Sequence, residues 1–139
     1  MLNFFKKDNK ESIENPLTKI AALLVHAAKI DENYTHKERE IIRKAIIELG
    51  AEDKNIDNIL TEAEKIEKKS NQILDFTKEV KNMNEDSKTK IIEILWNLIY
   101  SDNNPDMYEN SLMRRLTGLM YLNPKTVGGI KQKVINKLK

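Results

Sequence analysis

Apolar residues recur along this chain at the three- and four-residue spacing of amphipathic α-helices. No stretch shows the two-residue alternation of a half-buried strand, so the pattern predicts an all-α fold. Seven helices follow from it, beginning near residues 16, 35, 53, 70, 84, 106 and 124. The start and stop signals are a capping residue before proline, a capping box and a glycine: Asn15-Pro16, Asn123-Pro124, Thr35 with Glu38, and Gly50. Because the connections are short, we expect a compact bundle with roughly antiparallel neighbours.

The chain also repeats a helix–loop–helix unit. Residues 27–45, AAKIDENYTHKEREIIRKA, correspond to residues 98–116, LIYSDNNPDMYENSLMRRL, at an offset of 71 positions. Asp31 and Glu38 in the first copy stand where Asp102 and Glu109 stand in the second. Apolar positions and an arginine match in the same register: Leu24 with Leu95, Ile41 with Leu112, Ile42 with Met113, and Arg43 with Arg114. Because acids repeat together with apolar positions, the pattern indicates an internal duplication with pseudo-twofold symmetry.

Composition narrows the classes of function. The chain has 139 residues, and we expect residues 15–139 to form one helical domain after a flexible arm of residues 1–14. The net charge is +2 with both signs interspersed, which gives no footprint for nucleic acid. The absence of cysteine excludes disulfides, zinc–thiolate sites and thiol nucleophiles. No apolar run reaches the roughly 18–20 residues of a transmembrane helix, and the N-terminus lacks a signal peptide, so we expect a cytoplasmic location.

The acids of the repeated unit are placed where they need compensation. Asp31 and Asp102 follow the apolar faces of helices 1 and 5 at their C-terminal ends, where the helix dipole disfavours an anion by about 0.3–1 kcal/mol. In a helical hairpin, Glu38 and Glu109 could converge with them on one point. Carboxylates gathered in this way suit a hard divalent cation, calcium or magnesium. The sequence therefore allows a metal site in each loop.

Further loop oxygens could complete such sites, from Asn33 in the first loop and from Asn104 and Asp106 in the second. The second loop is not an EF-hand, because Met107 occupies the position that requires glycine and Met113 the position that requires glutamate. An alternative without metal is equally consistent with the residues. Glu38 stands at the capping-box position after Thr35, as Glu109 does after Asp106, and the aspartates could pair with Arg43 and Arg114.

At these residues the chain resembles the TerB-like proteins, a family named for the tellurite-resistance protein TerB. The resemblance rests on LLVHAAKIDENYTHKERE and ILWNLIYSDNNPDMYENSLMRRL, each an apolar helix that ends at an aspartate before a short loop and a glutamate. Trp96 precedes the second loop as a tryptophan often does in the family. The resemblance extends over about residues 16–138. The family's glycine after each aspartate is replaced here by Glu32 and by Asn103.

The resemblance implies a bacterial, non-enzymatic domain linked to tellurite resistance and stress responses, near the inner membrane surface. It implies that the acidic loops bind calcium through Asp31, Glu38, Asp102 and Glu109. A metal-free module that docks a protein partner, or a membrane surface through residues 1–7, is the alternative. An enzyme is disfavoured, because the sequence shows no nucleophile–base pair and no phosphate-binding glycine loop.

Overall fold

A computed structural model describes residues 16–29, 34–69, 73–101 and 107–138 of the chain. Within these ranges the backbone forms seven α-helices and one short 3-10 helix, and no strand, which confirms the all-α prediction. The α-helices are α1 (Pro16–Ala28), α2 (His36–Glu48), α3 (Ile56–Lys69), α4 (Leu74–Lys81), α5 (Glu85–Ile99), α6 (Met107–Leu119) and α7 (Pro124–Leu138). The predicted arm of residues 1–14 and its membrane contact through residues 1–7 lie outside the described residues, and both stay predictions.

Two helices, α1 and α5, form the centre of the bundle. The sequence predicts one buried face for each, but both are buried on several sides. A helix that is apolar all round is expected to be enclosed by others, and α1 contacts α2, α3, α4 and α5. Its most extensive contact is with α3 rather than with its chain neighbour α2. The buried side chains of α1 are Leu17, Thr18, Ile20, Ala21, Ala22, Leu23, Leu24, Val25, Ala27 and Ala28.

The internal duplication predicted from the sequence is visible in the helices themselves. α6 begins and ends 71 residues after α2, and α5 ends 71 residues after α1. The packing repeats as well, because α1 packs on α3 and α5 packs on α7. At equivalent positions, Leu24 and Leu95 are both fully buried. The repeat therefore extends from the loop motifs to the architecture of the two halves.

The ends of α2 and α6 also repeat in register. After α2, the N–H of Gly50 donates to Ile47 O and the N–H of Ala51 donates to Ile46 O, at 3.0 and 3.1 Å. This is a Schellman motif, which requires a left-handed residue where Gly50 has a φ of 114°. After α6 the same motif forms around Tyr121, which has a φ of 55°. The second copy thus places an aromatic residue where the first has glycine.

The predicted start signals are confirmed at the helix starts that the structure describes. Asn123 Oδ1 accepts a hydrogen bond from the Lys125 N–H at 2.8 Å, and α7 begins at Pro124 as predicted. Asn84 caps α5 in a similar way by accepting from the Ser87 N–H. The third predicted helix differs, because its first turn is the 3-10 helix Asp53–Asn55. No side chain caps that turn, which leaves its start weakly fixed.

Trp96 fixes α5 against α7. Its side chain is 3% exposed, and its Nε1 donates to the Val127 carbonyl at 3.1 Å. Tyr100 lies one turn further along α5, with ring centroids 6.1 Å apart, and the Lys131 ammonium lies 5.2 Å from the centroid of the tryptophan ring. The prediction that Trp96 serves a second packing surface is confirmed.

Candidate functional site

The structure describes the flanks of the acidic loops rather than the loops themselves. Among the four acids predicted to bind metal, the side chain of Glu38 is described. Asp31 and Asp102 lie outside the described residues, as do the additional candidates Asn33, Asn104 and Asp106. Glu109 belongs to α6, but its side chain also falls outside the description. The arrangement of the predicted ligands around an ion therefore stays a prediction.

Glu38 closes the capping box that the sequence predicts. Its Oε1 accepts from the Thr35 backbone N–H at 2.9 Å, and its own N–H donates to Thr35 Oγ1 at 3.1 Å. The residue is only 7% exposed, which is unusual for a glutamate. Capping thus supplies two hydrogen bonds that orient this carboxylate at the start of α2.

The flanks of the two repeated loops meet in space. Lys37, at the start of α2, donates from Nζ to the carbonyl oxygen of Ser101 at 2.6 Å. Ser101 follows α5 and directly precedes Asp102 in the sequence, while Lys37 directly precedes Glu38. A cation beside the C-terminal end of a helix also interacts favourably with the helix dipole. This contact places the start of α2 next to the point where the second loop begins.

Two glutamates of α3 connect that helix to α1 and α2. Glu64 Oε2 accepts from the Tyr34 hydroxyl at 2.7 Å and from Nε of Arg39 at 2.8 Å. Glu67 Oε1 accepts from Nζ of Lys29 at 2.6 Å, and its Oε2 lies 3.2 Å from Nδ1 of His26. The Glu67 side chain is 10% exposed.

Sequence analysis missed this network. The charged side of helix 3 is most simply a solvated face from the sequence, and that interpretation is wrong for Glu64 and Glu67. The available signal was weak: the two glutamates are three residues apart and flank the apolar stripe that contains Leu60 and Ala63. Only the crossing of α3 over the other two helices brings them to their partners.

The network perturbs two of its titratable groups. Burial of Tyr34, together with its hydrogen bond to the Glu64 carboxylate, raises the pKa of the hydroxyl above its ordinary value. The hydrogen bond to Glu64 also raises the pKa of the Arg39 guanidinium. Both shifts hold the donors protonated, so the connection between α2 and α3 persists through neutral pH.

An open cleft of about 370 Å³ lies beside this network. The end of α1, the start of α2 and the middle of α3 form its walls. Its charged lining is cationic apart from one carboxylate, and its apolar lining comes from Val25 and Tyr34. The charged groups are Lys29, Arg39, Lys68 and Glu64.

Two further searches of the described ranges gave negative results. No three His, Asp or Glu side chains converge there in an arrangement that could hold a metal ion. No helix in the same ranges is long and apolar enough to cross a membrane.

Comparison with known proteins gives one match. The family model described as "Tellurite resistance protein TerB" matches residues 17–132, which covers all seven helices in whole or in part. A search of curated proteins and a search of solved structures each returned no match. The match spans both copies of the repeated unit.

Proposed function

The chain belongs to the TerB family of helical, non-catalytic domains associated with tellurite resistance, and on that basis we propose a non-enzymatic adaptor that binds a divalent cation. The first repeated loop would hold the ion through Asp31 and Glu38, and the second through Asp102 and Glu109. Asn33, Asn104 and Asp106 are the additional oxygen donors. Oxygen donors alone favour calcium or magnesium over zinc or copper.

The observation that carries this proposal is the register of the duplication. α2 and α6, the helices that follow the two loops, have bounds displaced by the same 71 residues that separate the paired acids. Asp31 and Asp102 therefore occupy equivalent places in two copies of one unit, and so do Glu38 and Glu109. An acid pair kept in both copies is expected when both have a common ligand, although capping accounts for the glutamates alone.

The geometry of Glu38 is compatible with both roles. A hydrogen bond from an outer residue commonly orients a carboxylate that ligates metal, and Thr35 supplies such a bond here. A bound ion would then neutralise Glu38 and Asp31 together and would join the end of α1 to the start of α2. The proposed chemistry is structural, because the ion would stabilise a shape that a partner protein recognises.

Thermal unfolding of the chelator-treated protein, with and without millimolar calcium or magnesium, tests the proposal. An ion that binds only the folded state stabilises it by about 2.7 kcal/mol at roughly 100 times its Kd. We expect calcium to raise the Tm and expect Asp31→Asn and Asp102→Asn each to reduce the shift. Asp75→Asn is the matched control, because it removes one carboxylate from an exposed position on α4.

Two results would contradict the proposal. One is an unchanged Tm with both ions, which would leave Glu38 as a cap and favour the metal-free interaction module. The other is an equal loss of the calcium shift in Asp75→Asn, which would indicate general charge screening.

A further inference from the structure

We propose that the cleft between α1, α2 and α3 binds a small organic phosphate. This inference is independent of the proposed metal site, because it rests on described side chains outside the four predicted metal ligands. The cleft volume of about 370 Å³ lies within the range of small-molecule sites, which is roughly 300–1,000 Å³.

Cationic groups from three separate helices converge on the cleft. Lys29 follows α1, Arg39 belongs to α2, and Lys68 belongs to α3. Thr35 and His36 also line it, so the start of α2 adds the partial positive charge of a helix N-terminus. Charges drawn from three elements favour one compact, multiply charged group over several dispersed carboxylates.

The cations retain donors for a ligand. The contact of Arg39 with Glu64 uses Nε, one of the five N–H donors of a guanidinium. The contact of Lys29 with Glu67 uses one of three ammonium donors. Lys68 is exposed and forms no ion pair with any residue in the described ranges. These hydrogen bonds therefore orient Lys29 and Arg39 without exhausting them.

The remaining lining explains why the phosphate should carry an organic part. Val25 is buried in the wall, and the half-buried ring of Tyr34 adjoins it. The bond from the Tyr34 hydroxyl to Glu64 fixes that ring in place. Inorganic phosphate would use the cations alone, whereas a ligand with an apolar or aromatic part would also contact these two side chains.

Titration calorimetry and NMR in a chelator-containing buffer test the inference. The probes are adenosine 5′-monophosphate and inorganic phosphate, with adenosine as the uncharged control. We expect the nucleotide to bind more tightly than inorganic phosphate and adenosine not to bind. Amide shifts should be largest at Tyr34, His36 and Lys68.

Matched variants identify the site. Lys68→Gln should weaken nucleotide binding by about tenfold, the loss expected for one charge-assisted hydrogen bond. Its control is Lys65→Gln, one turn away on α3, where the lysine pairs with Glu62. Arg39→Gln should behave like Lys68→Gln, and its control is Arg43→Gln on α2, where the arginine pairs with Asp57.

Three results would overturn the inference: no nucleotide binding, equal weakening in Lys65→Gln and Lys68→Gln, and binding that requires added calcium. The last would assign the phosphate to a metal ion rather than to the cleft. Because the buffer contains chelator, failure here leaves the calcium result unaffected. Lys68 is exposed, so its variant should fold normally, and a Tm equal to that of Lys65→Gln would confirm this.

Discussion

Replacing glycine by alanine should have opposite effects on stability at two positions of this chain. Gly129 lies in the interior of α7, and no heavy atom lies within 4 Å of the place where its Cβ would stand. Gly50 follows α2 with a φ of 114°, a left-handed conformation that residues with a Cβ adopt at a cost. Both substitutions add one methyl group, so the backbone alone decides the sign.

The magnitudes follow from the two conformations. Alanine is favoured over glycine in a helix interior by about 0.8–1.0 kcal/mol, and nothing in the described structure opposes the new methyl at Gly129. At Gly50 the left-handed conformation costs alanine about 1–2 kcal/mol. A gain of about 0.4–1 kcal/mol from the less flexible unfolded chain offsets part of this cost. We therefore expect Gly129→Ala to stabilise and Gly50→Ala to destabilise, each by about 1 kcal/mol.

Urea unfolding followed by far-UV circular dichroism measures both variants. The m-values should equal that of the wild type, so that a change in midpoint reports stability alone. In thermal unfolding each change corresponds to roughly 3–5 °C for a chain of this size. Gly128→Ala provides a second test, because its Cβ would also meet nothing within 4 Å. Loss of stability in both α7 variants would refute the view that this face of α7 is open.

Two further predictions concern side chains that join helices. The raised pKa of Tyr34 favours the protonated hydroxyl in the folded state, so its contribution is complete below about pH 10 and is lost as the pH rises towards the folded value. Stability should therefore fall more steeply above about pH 10 in the wild type than in Tyr34→Phe, and parallel pH profiles from urea unfolding would contradict this. Trp96→Phe should cost about 1.5–3 kcal/mol, because it removes the hydrogen bond to Val127 and leaves unfilled volume between α5 and α7. A loss below about 0.5 kcal/mol by the same measurement would show that the Trp96 contacts do not stabilise the packing.

Metal binding illustrates how far the sequence reaches towards function. The repeated acids are visible from spacing alone, and the family match supports the resemblance on which the calcium prediction depends. The capping role of Glu38 was predicted as the alternative and is confirmed. A ligand set, by contrast, depends on distances between oxygens that neighbouring positions in a sequence do not fix. Arg43, considered as a partner for the loop aspartate, contacts Asp57 in the described structure.

The polar cleft shows what a linear pattern leaves out. Glu64 and Glu67 have no local signal that separates them from the exposed charges of α3. They find Tyr34, Arg39, Lys29 and His26 because α3 packs closely on α1 and also contacts α2. A rotation of α3 by one residue would turn both carboxylates away from these partners.

The sequence by itself determined the helices, their caps and their duplication. These features depend on residues within about four positions of each other, as in the box of Thr35 with Glu38 and the start at Pro124. Only the tertiary structure decided which helices enclose α1 and which charges are buried. Lys88 stands 71 residues after Leu17, and it is 7% exposed with its Nζ 3.3 Å from the Met120 carbonyl. No local pattern predicts such a lysine, because its partner is an unpaired backbone oxygen at the end of another helix that only packing brings within reach.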